Sequence, residues 1–264
     1  MNTDSVNHLL HAQRSQGRLV TRFGARGLER HREEGCLKLR VPFGAADAII
    51  INTSGGLAGG DQLSTQLTVA AAAKFTVTSQ AAERVYRTLG PAAEIAHEFV
   101  IEDAASLAWL PQETILFNAS ALNRSLTVRL GEGARFLAVE AYVLGRTAMP
   151  ETLIQFSLRD TWDVYRGKKL IHAERLAMTG PVPKSEATLH GAKAFATVML
   201  VADNAERFVP KFHAITGSNH GISCWNGKLL ARLVAEDGFH LRKTVKAVLS
   251  MCLDGKALPR NWEM

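Results

Sequence analysis

Apolar residues recur at every second position in much of this chain. In residues 125–130, Leu126, Val128 and Leu130 alternate with Ser125, Thr127 and Arg129. Only an extended strand gathers such a set on one side, because successive side chains of a strand point to opposite faces. The pattern returns at Ile154, Phe156 and Leu158, and at Ile95, His97, Phe99 and Ile101. Leu67, Val69, Phe75 and Val77 flank a run of alanines, where the β-branched Thr76, Val77 and Thr78 favour a strand over a helix. Gly131-Glu132-Gly133 reads as a turn that joins residues 125–130 to a more buried strand at 135–144, making a β-hairpin. A second hairpin is expected where Arg166-Gly167-Lys168-Lys169 separates Val164-Tyr165 from Leu170-Ile171.

Helical signal is weaker and comes late. Residues 205–215 read as a short helix interrupted by Pro210, and Leu241, Val245, Val248, Leu249 and Cys252 mark an amphipathic helix ending near Gly255. The chain is therefore expected to be mainly β, with a few helices mostly in its C-terminal part. No exact internal repeat and no linker is visible. Thr179-Gly180-Pro181-Val182-Pro183 is the clearest loop, without marking a boundary. A single domain over residues 1–264 is expected, with about the first 16 residues as a flexible tail.

Composition bounds the setting. At 47% hydrophobic and 21% charged residues the chain is globular, not disordered. Its net charge of +6 admits nucleic acid, an anionic membrane or an acidic protein as partner. The basic residues do not cluster, however: Arg22, Arg26, Arg30 and Arg32 are interleaved with or followed by Glu29, Glu33 and Glu34, a solvated mixed-charge surface. Cys36, Cys224 and Cys252 are far apart and form no CxxC pair, which fits a reducing compartment. No signal peptide and no run of about 20 apolar residues is seen. A soluble cytoplasmic protein is expected, without nucleic-acid or membrane partners.

The most unusual segment is Ile49-Ile50-Ile51-Asn52-Thr53-Ser54-Gly55-Gly56-Leu57-Ala58-Gly59-Gly60-Asp61. A phosphate loop would need a following lysine or the GxGxxG spacing, and then a helix. Here Leu63, Thr65, Leu67 and Val69 continue as an alternating strand. A structural double turn closed by Asp61 accounts for the residues, and Gly55, Gly56, Gly59 and Gly60 are its structural positions.

Residues 52–61 resemble the TxGGxxGGD hallmark of the urease accessory D family, called H in some operons. Other stretches agree in order. Thr78-Ser79-Gln80-Ala81-Ala82-Glu83-Arg84-Val85-Tyr86-Arg87 resembles the family's TxQAAEKxYR segment, and Trp109-Leu110-Pro111-Gln112-Glu113-Thr114-Ile115-Leu116-Phe117 its WLPQETILF segment. Gly145-Arg146-Thr147-Ala148-Met149 resembles its GRxAMGE loop, with Pro150 where glycine is usual. Arg159-Asp160-Thr161-Trp162, Glu174-Arg175-Leu176 and Leu258-Pro259-Arg260-Asn261-Trp262 match later landmarks. The resemblance runs from about Gly17 to the C-terminus.

The resemblance implies a β-helix-like body of stacked strands and hairpins with a few helices. It implies a non-catalytic scaffold that binds an F-type accessory protein, through it a G-type GTPase, and apo-urease. It also implies an internal channel for Ni²⁺, with no tightly bound cofactor. A transit route must hold the ion loosely, with carboxylates, carbonyls and water. The candidates in the matched motifs are Asp61, Glu83, Glu140, Asp160 and Glu174, with Glu113 beside them. Glu140 lies between Val139 and Ala141 in an apolar strand, where a lone carboxylate costs several kcal/mol. It either faces a channel or pairs with a buried arginine such as Arg84 or Arg146. Glu83 beside Arg84 and Asp160 beside Arg159 read as members of structural ion pairs. His8 and His11 are close enough to share a metal, although a frayed polar terminus accounts for them too. The competing class is an enzyme that uses the glycine-rich loop on a phosphorylated substrate, but no GxSxG, HExxH or cysteine–histidine pairing supplies its machinery.

Overall fold

The computed structural model describes residues 14–42, 46–146, 153–185, 187–216 and 220–263. His8, His11 and the expected N-terminal tail up to residue 13 lie outside them, as do Thr147, Ala148, Met149 and Pro150. The first strands are β1 (Gln16–Gly24), β2 (Gly27–Gly35), β3 (Leu37–Arg40), β4 (Asp47–Asn52), β5 (Gln62–Val69), β6 (Lys74–Ser79), β7 (Glu83–Val85) and β8 (Ala93–Ile101). Then come β9 (Ser106–Leu110), β10 (Thr114–Leu116), β11 (Ser120–Leu130), β12 (Arg135–Leu144), β13 (Phe156–Arg166), β14 (Lys169–Thr179) and β15 (Ala194–Val201). A 3₁₀ turn (Ala205–Phe208) leads into α1 (Val209–Ile215), β16 (Gly221–Trp225), β17 (Lys228–Ala235), α2 (Gly238–Leu253) and α3 (Arg260–Glu263).

Two sheets face each other. In the first, β1, β5, β8, β11 and β13 run parallel, with β2 and β14 added antiparallel at its ends. In the second, β4, β6, β9 and β12 run parallel, followed by antiparallel β15, β17 and β16. The chain passes repeatedly from the first sheet to the second, as a β-solenoid of about four turns. This is the β-helix-like architecture that the resemblance implied.

One expected hairpin is not formed. β11 belongs to the first sheet and β12 to the second, so residues 131–134 carry the chain across the core instead of back along the same sheet. The same crossing occurs three times: Ala72, Ala104 and Gly133 each take a positive φ of 59°, 53° and 61°. A buried alanine follows each one, at Ala73, Ala105 and Ala134. The crossings stack by backbone hydrogen bonds, Ala72 N to Asp103 O at 2.9 Å and Ala104 N to Glu132 O at 2.8 Å. Beyond these alanines the repeat is geometric and leaves little trace in residue identity. The β13–β14 hairpin forms as expected, with Gly167 at φ 56° in its turn.

Between the sheets lies a core that includes Leu19, Phe23, Leu67, Val77, Phe99, Leu126 and Phe136. A second core fills the outer face of β12, β15 and β17, where Leu137, Val139, Ala141 and Val198 meet Phe208, Phe212, Leu241 and Trp262. Both faces of β12 are therefore buried, which explains its almost continuous apolar run. α2 buries all five residues of the expected stripe, with Asp237 accepting from His240 N at its start and Asp254 left-handed at its end. Pro210 does not interrupt a helix. It sits in the first turn of α1, where its missing N–H costs nothing.

Candidate functional site

Extending the alternation of β11 back from Leu126 and Leu122 puts Arg124 on its inner face. The same phase in β12 puts Glu140 and Tyr142 inside. Arg124, only 5% exposed, stands between two carboxylates. It pairs with Glu140 through one terminal nitrogen and with Asp160 Oδ2 at 2.9 Å through the other. Tyr142 Oη donates to Asp160 Oδ2 at 2.6 Å, Trp162 Nε1 donates to both Asp160 oxygens at 3.2 Å, and Trp109 Nε1 donates to Glu140 Oε1 at 3.2 Å. Burial opposes the charge on Arg124, but Asp160 and Glu140 outweigh it and hold its pKa above the ordinary value. Burial pushes Glu140 up to about 7, against the pull of Arg124. The partner of Glu140 is thus Arg124 from the facing sheet, not Arg84 or Arg146. Asp160 joins the same guanidinium and not its chain neighbour Arg159.

A cavity of about 240 Å³ opens beside this network. Its wall includes Glu140, Arg124, Thr114, Trp109 and His97, and it extends past Glu83 to Asn52, Gly55 and Gly56. It reaches the surface by the loop holding Gln80 and Ala81, both exposed. Glu83 forms no pair with Arg84, which points to the opposite face of β7. Its oxygens accept from Asn52 Nδ2, both at 3.2 Å. Enclosure by protein pushes Glu83 up to about 7. The ring of His97 leans on Trp109, with centroids 4.9 Å apart. Burial, then the charge on Arg124, push its pKa down to about 3, so the imidazole is neutral. Two expected carboxylates, Glu83 and Glu140, thus line one cavity.

Asp61 and Glu174 are elsewhere. Asp61 is buried and closes the double turn, accepting from Ala58 N at 2.7 Å and from Ser15 N at 2.8 Å. Glu174 bridges the two sheets by its pair with Arg232, and His172 and then Arg232 hold its pKa down at about 2. Glu113 is held by Arg242 of α2 at 2.9 Å. Among the described residues, the group of three metal-ligating types packed within 4.8 Å is Glu236, Asp237 and His240, at the start of α2 and outside the cavity, with Glu236 and His240 exposed and Asp237 half-buried.

The glycine-rich turn packs inward. The amides of Gly55, Leu57, Ala58, Gly60 and Asp61 are all taken by protein oxygens, which leaves no cradle of free amides for a phosphate. Its last residue, Asp61, is followed directly by β5, a strand and not a helix. A Cβ on Gly59 would sit 1.8 Å from Thr88 Oγ1 and 2.6 Å from Pro91 O, whereas Gly60 has φ +84°. Gly59→Ala and Gly60→Ala are each expected to lower the unfolding midpoint, the first by collision and the second by roughly 1 kcal/mol or more of backbone strain. Gly55→Ala, which meets nothing within 4 Å, serves as the strain-only comparison at φ +74°. Urea titration of the three variants reads the difference, and a wild-type midpoint in Gly59→Ala would remove the collision.

The match with known proteins covers nearly the whole chain. The model of the UreD urease accessory protein family matches residues 13–263. The chain belongs to the UreD family. It is 40% identical over 259 residues to the urease accessory protein UreD of Agrobacterium fabrum, covering 95% of this chain and 91% of the relative. It is 42% identical over 250 residues to that of Chelativorans, covering 92% and 90%. With UreD 1 of Brucella abortus it shares 41% over 259 residues, covering 93% and 92%. The role of this chain is that of a urease accessory protein and not of a catalyst. Among the described residues, no helix is long and apolar enough to cross a membrane.

Proposed function

We propose that the chain is a soluble cytoplasmic scaffold that binds apo-urease, an F-type accessory protein and, through it, a G-type GTPase, and assists GTP-dependent nickel insertion into the urease metallocentre. Nickel crosses it as transient cargo, and no cofactor is tightly bound. The observation that carries this reading is the interior cavity, which joins the glycine-rich turn to Glu83 and Glu140. Both carboxyls have pKa values near 7, so near neutrality each releases its proton readily to an arriving cation. His97 adds a neutral imidazole to the same wall. These donors are spread along the wall and do not close into a cage, which suits passage and not storage. Asp61, Asp160 and Glu174 serve the reading as structural carboxylates that hold the walls in place.

The test is activation of purified apo-urease by nickel, GTP and the F- and G-type proteins, with and without this chain. Nickel bound to urease, read by atomic emission, is expected to rise only when the chain is present. Equal nickel content in both mixtures would overturn the reading.

A further inference from the structure

The glycine-rich turn and β7 meet at one carboxylate. Leu57 N donates to Arg84 O at 2.7 Å and Tyr86 N donates to Leu57 O at 2.8 Å, which stitches the turn to β7 on either side of Val85. Glycine permits the approach, since a Cβ on Gly56 would lie 2.7 Å from Arg84 O. Tyr86 Oη adds a bond to Gly55 O at 2.8 Å. Asn52, the last residue of β4, is thereby held against Glu83, the first residue of β7. Both line the cavity.

The amide of Asn52 has one orientation open to it. Its Oδ1 accepts from Ser54 N at 3.1 Å and from Ser54 Oγ at 2.5 Å. Its Nδ2 donates to Gly56 O at 3.3 Å and to both Glu83 oxygens, each at 3.2 Å. An amide offers two N–H groups and an oxygen with two lone pairs, so the whole capacity is used. Turning it over would set Oδ1 against the carboxylate and leave Ser54 N facing a donor. The equal distances to Glu83 have a chemical consequence. A hydrogen-bond donor lies along the acceptor's lone pairs and away from the carboxyl carbon. A nitrogen equidistant from both oxygens therefore sits in the fork between them. A cation that grips a carboxylate through both oxygens at once needs that same fork. With an N–H already in it, each oxygen offers a metal only its outward lone pair.

We infer that Asn52 is a positioning residue that occupies the fork of the Glu83 carboxylate, so that Ni²⁺ is taken by a single oxygen and released again. The inference rests on the nickel-route reading above and says how that route avoids trapping its cargo. A grip through two oxygens would hold the ion more tightly and slow its departure. Ser54 acts one step further out, by fixing which end of Asn52 meets the carboxylate. The order Asn52-Thr53-Ser54-Gly55-Gly56 thus has a purpose beyond a double turn: the glycines bring the turn to β7, and the two polar side chains set what Glu83 presents.

The test titrates Ni²⁺ into the purified full chain by calorimetry, and reads the nickel delivered to apo-urease in the complete activation mixture. Asn52→Ala is expected to raise the affinity by about tenfold and to lower delivery severalfold. A variant that merely damages the fold would lose affinity, not gain it. The gain should vanish when Asn52→Ala is combined with Glu83→Gln, because the two residues act on one site. Asn52→Ser keeps an oxygen for the Ser54 amide but lacks the Nδ2, and should show the same gain if Asn52→Ala does not fold. Thermal unfolding identifies the folded variants. A folded Asn52→Ala or Asn52→Ser chain whose affinity stays at or below the wild-type value overturns the inference. The route reading then stands if Glu83→Gln alone still lowers delivery. A gain that persists without Glu83 also overturns the inference, since the ion is then held elsewhere. Wild-type affinity and delivery in Glu83→Gln would count against the passage of nickel by Glu83 itself, and would remove the inference with it.

Discussion

Arg124→Ala is expected to unfold the chain or to lower its stability by about 3–5 kcal/mol, the cost of leaving buried carboxylates uncompensated. The guanidinium stands between Glu140 and Asp160, the one cation paired with either among the described residues, and all three side chains are almost wholly enclosed. Without it, two carboxyls face each other across the core with no cation between them, and Tyr142 and Trp109 can stabilise them only through neutral donors. Glu140→Gln should be much milder, because Arg124 keeps Asp160 and the amide oxygen still accepts from Trp109. The triple variant Arg124→Leu, Glu140→Leu, Asp160→Asn should recover much of the loss, since replacing a buried ionic group as a whole is often close to neutral. Urea unfolding followed by tryptophan fluorescence reads all three, because Trp109 and Trp162 touch the network. An unchanged midpoint in Arg124→Ala would show that the network contributes nothing to the fold.

The strands were legible because their signal is local. Leu126, Val128 and Leu130 face the core as the alternation requires, and so do Ile95, Phe99 and Ile101. What the alternation cannot encode is which sheet a strand joins. Residues 131–134 look like a hairpin turn, yet the same backbone serves equally to cross between sheets, and packing against the neighbouring crossings decides it. The solenoid repeat is faint in the sequence because its three crossings share a conformation and a single buried alanine, with glycine replacing alanine before it at Gly133. At the site, Glu140 was visible as a charge in an apolar strand. Arg124 precedes the clear alternation of residues 125–130, and one step further back along β11 puts this arginine in the inward phase. Arg84 beside Glu83 suggests an ion pair, but consecutive residues of a strand point to opposite faces and cannot easily pair. The true neighbour of Glu83, Asn52, is 31 residues away and belongs to the glycine-rich segment. Long-range contacts of that kind are set by topology and are not written in spacing.

Nickel delivery is expected to depend on pH through Glu83 and Glu140. Their folded pKa values, about 7, stand above the ordinary 4.5 of a glutamate. The folded chain therefore holds more protons than the unfolded one between these values. This contribution to stability is fully present below 4.5 and is lost as pH rises through about 7. Cation binding runs the other way, because only the ionised carboxylate attracts Ni²⁺. A group with a pKa near 7 is about one tenth ionised at pH 6 and about nine tenths at pH 8. Wild-type loading of urease should thus fall as pH drops over that interval. Glu83→Gln and Glu140→Gln should load less nickel at pH 8 and show a flatter profile, while the pulled-down complex is recovered in normal yield. Glu83→Gln is the cleaner variant, because Glu83 has no arginine to leave unpaired and Asn52 can still bond the amide oxygen. Parallel loss of complex and nickel in Glu83→Gln would make the residue structural. Wild-type loading with an unchanged pH profile in both variants would remove the two carboxylates from the route. The cavity wall would then act only through its shape, its neutral imidazole and its water.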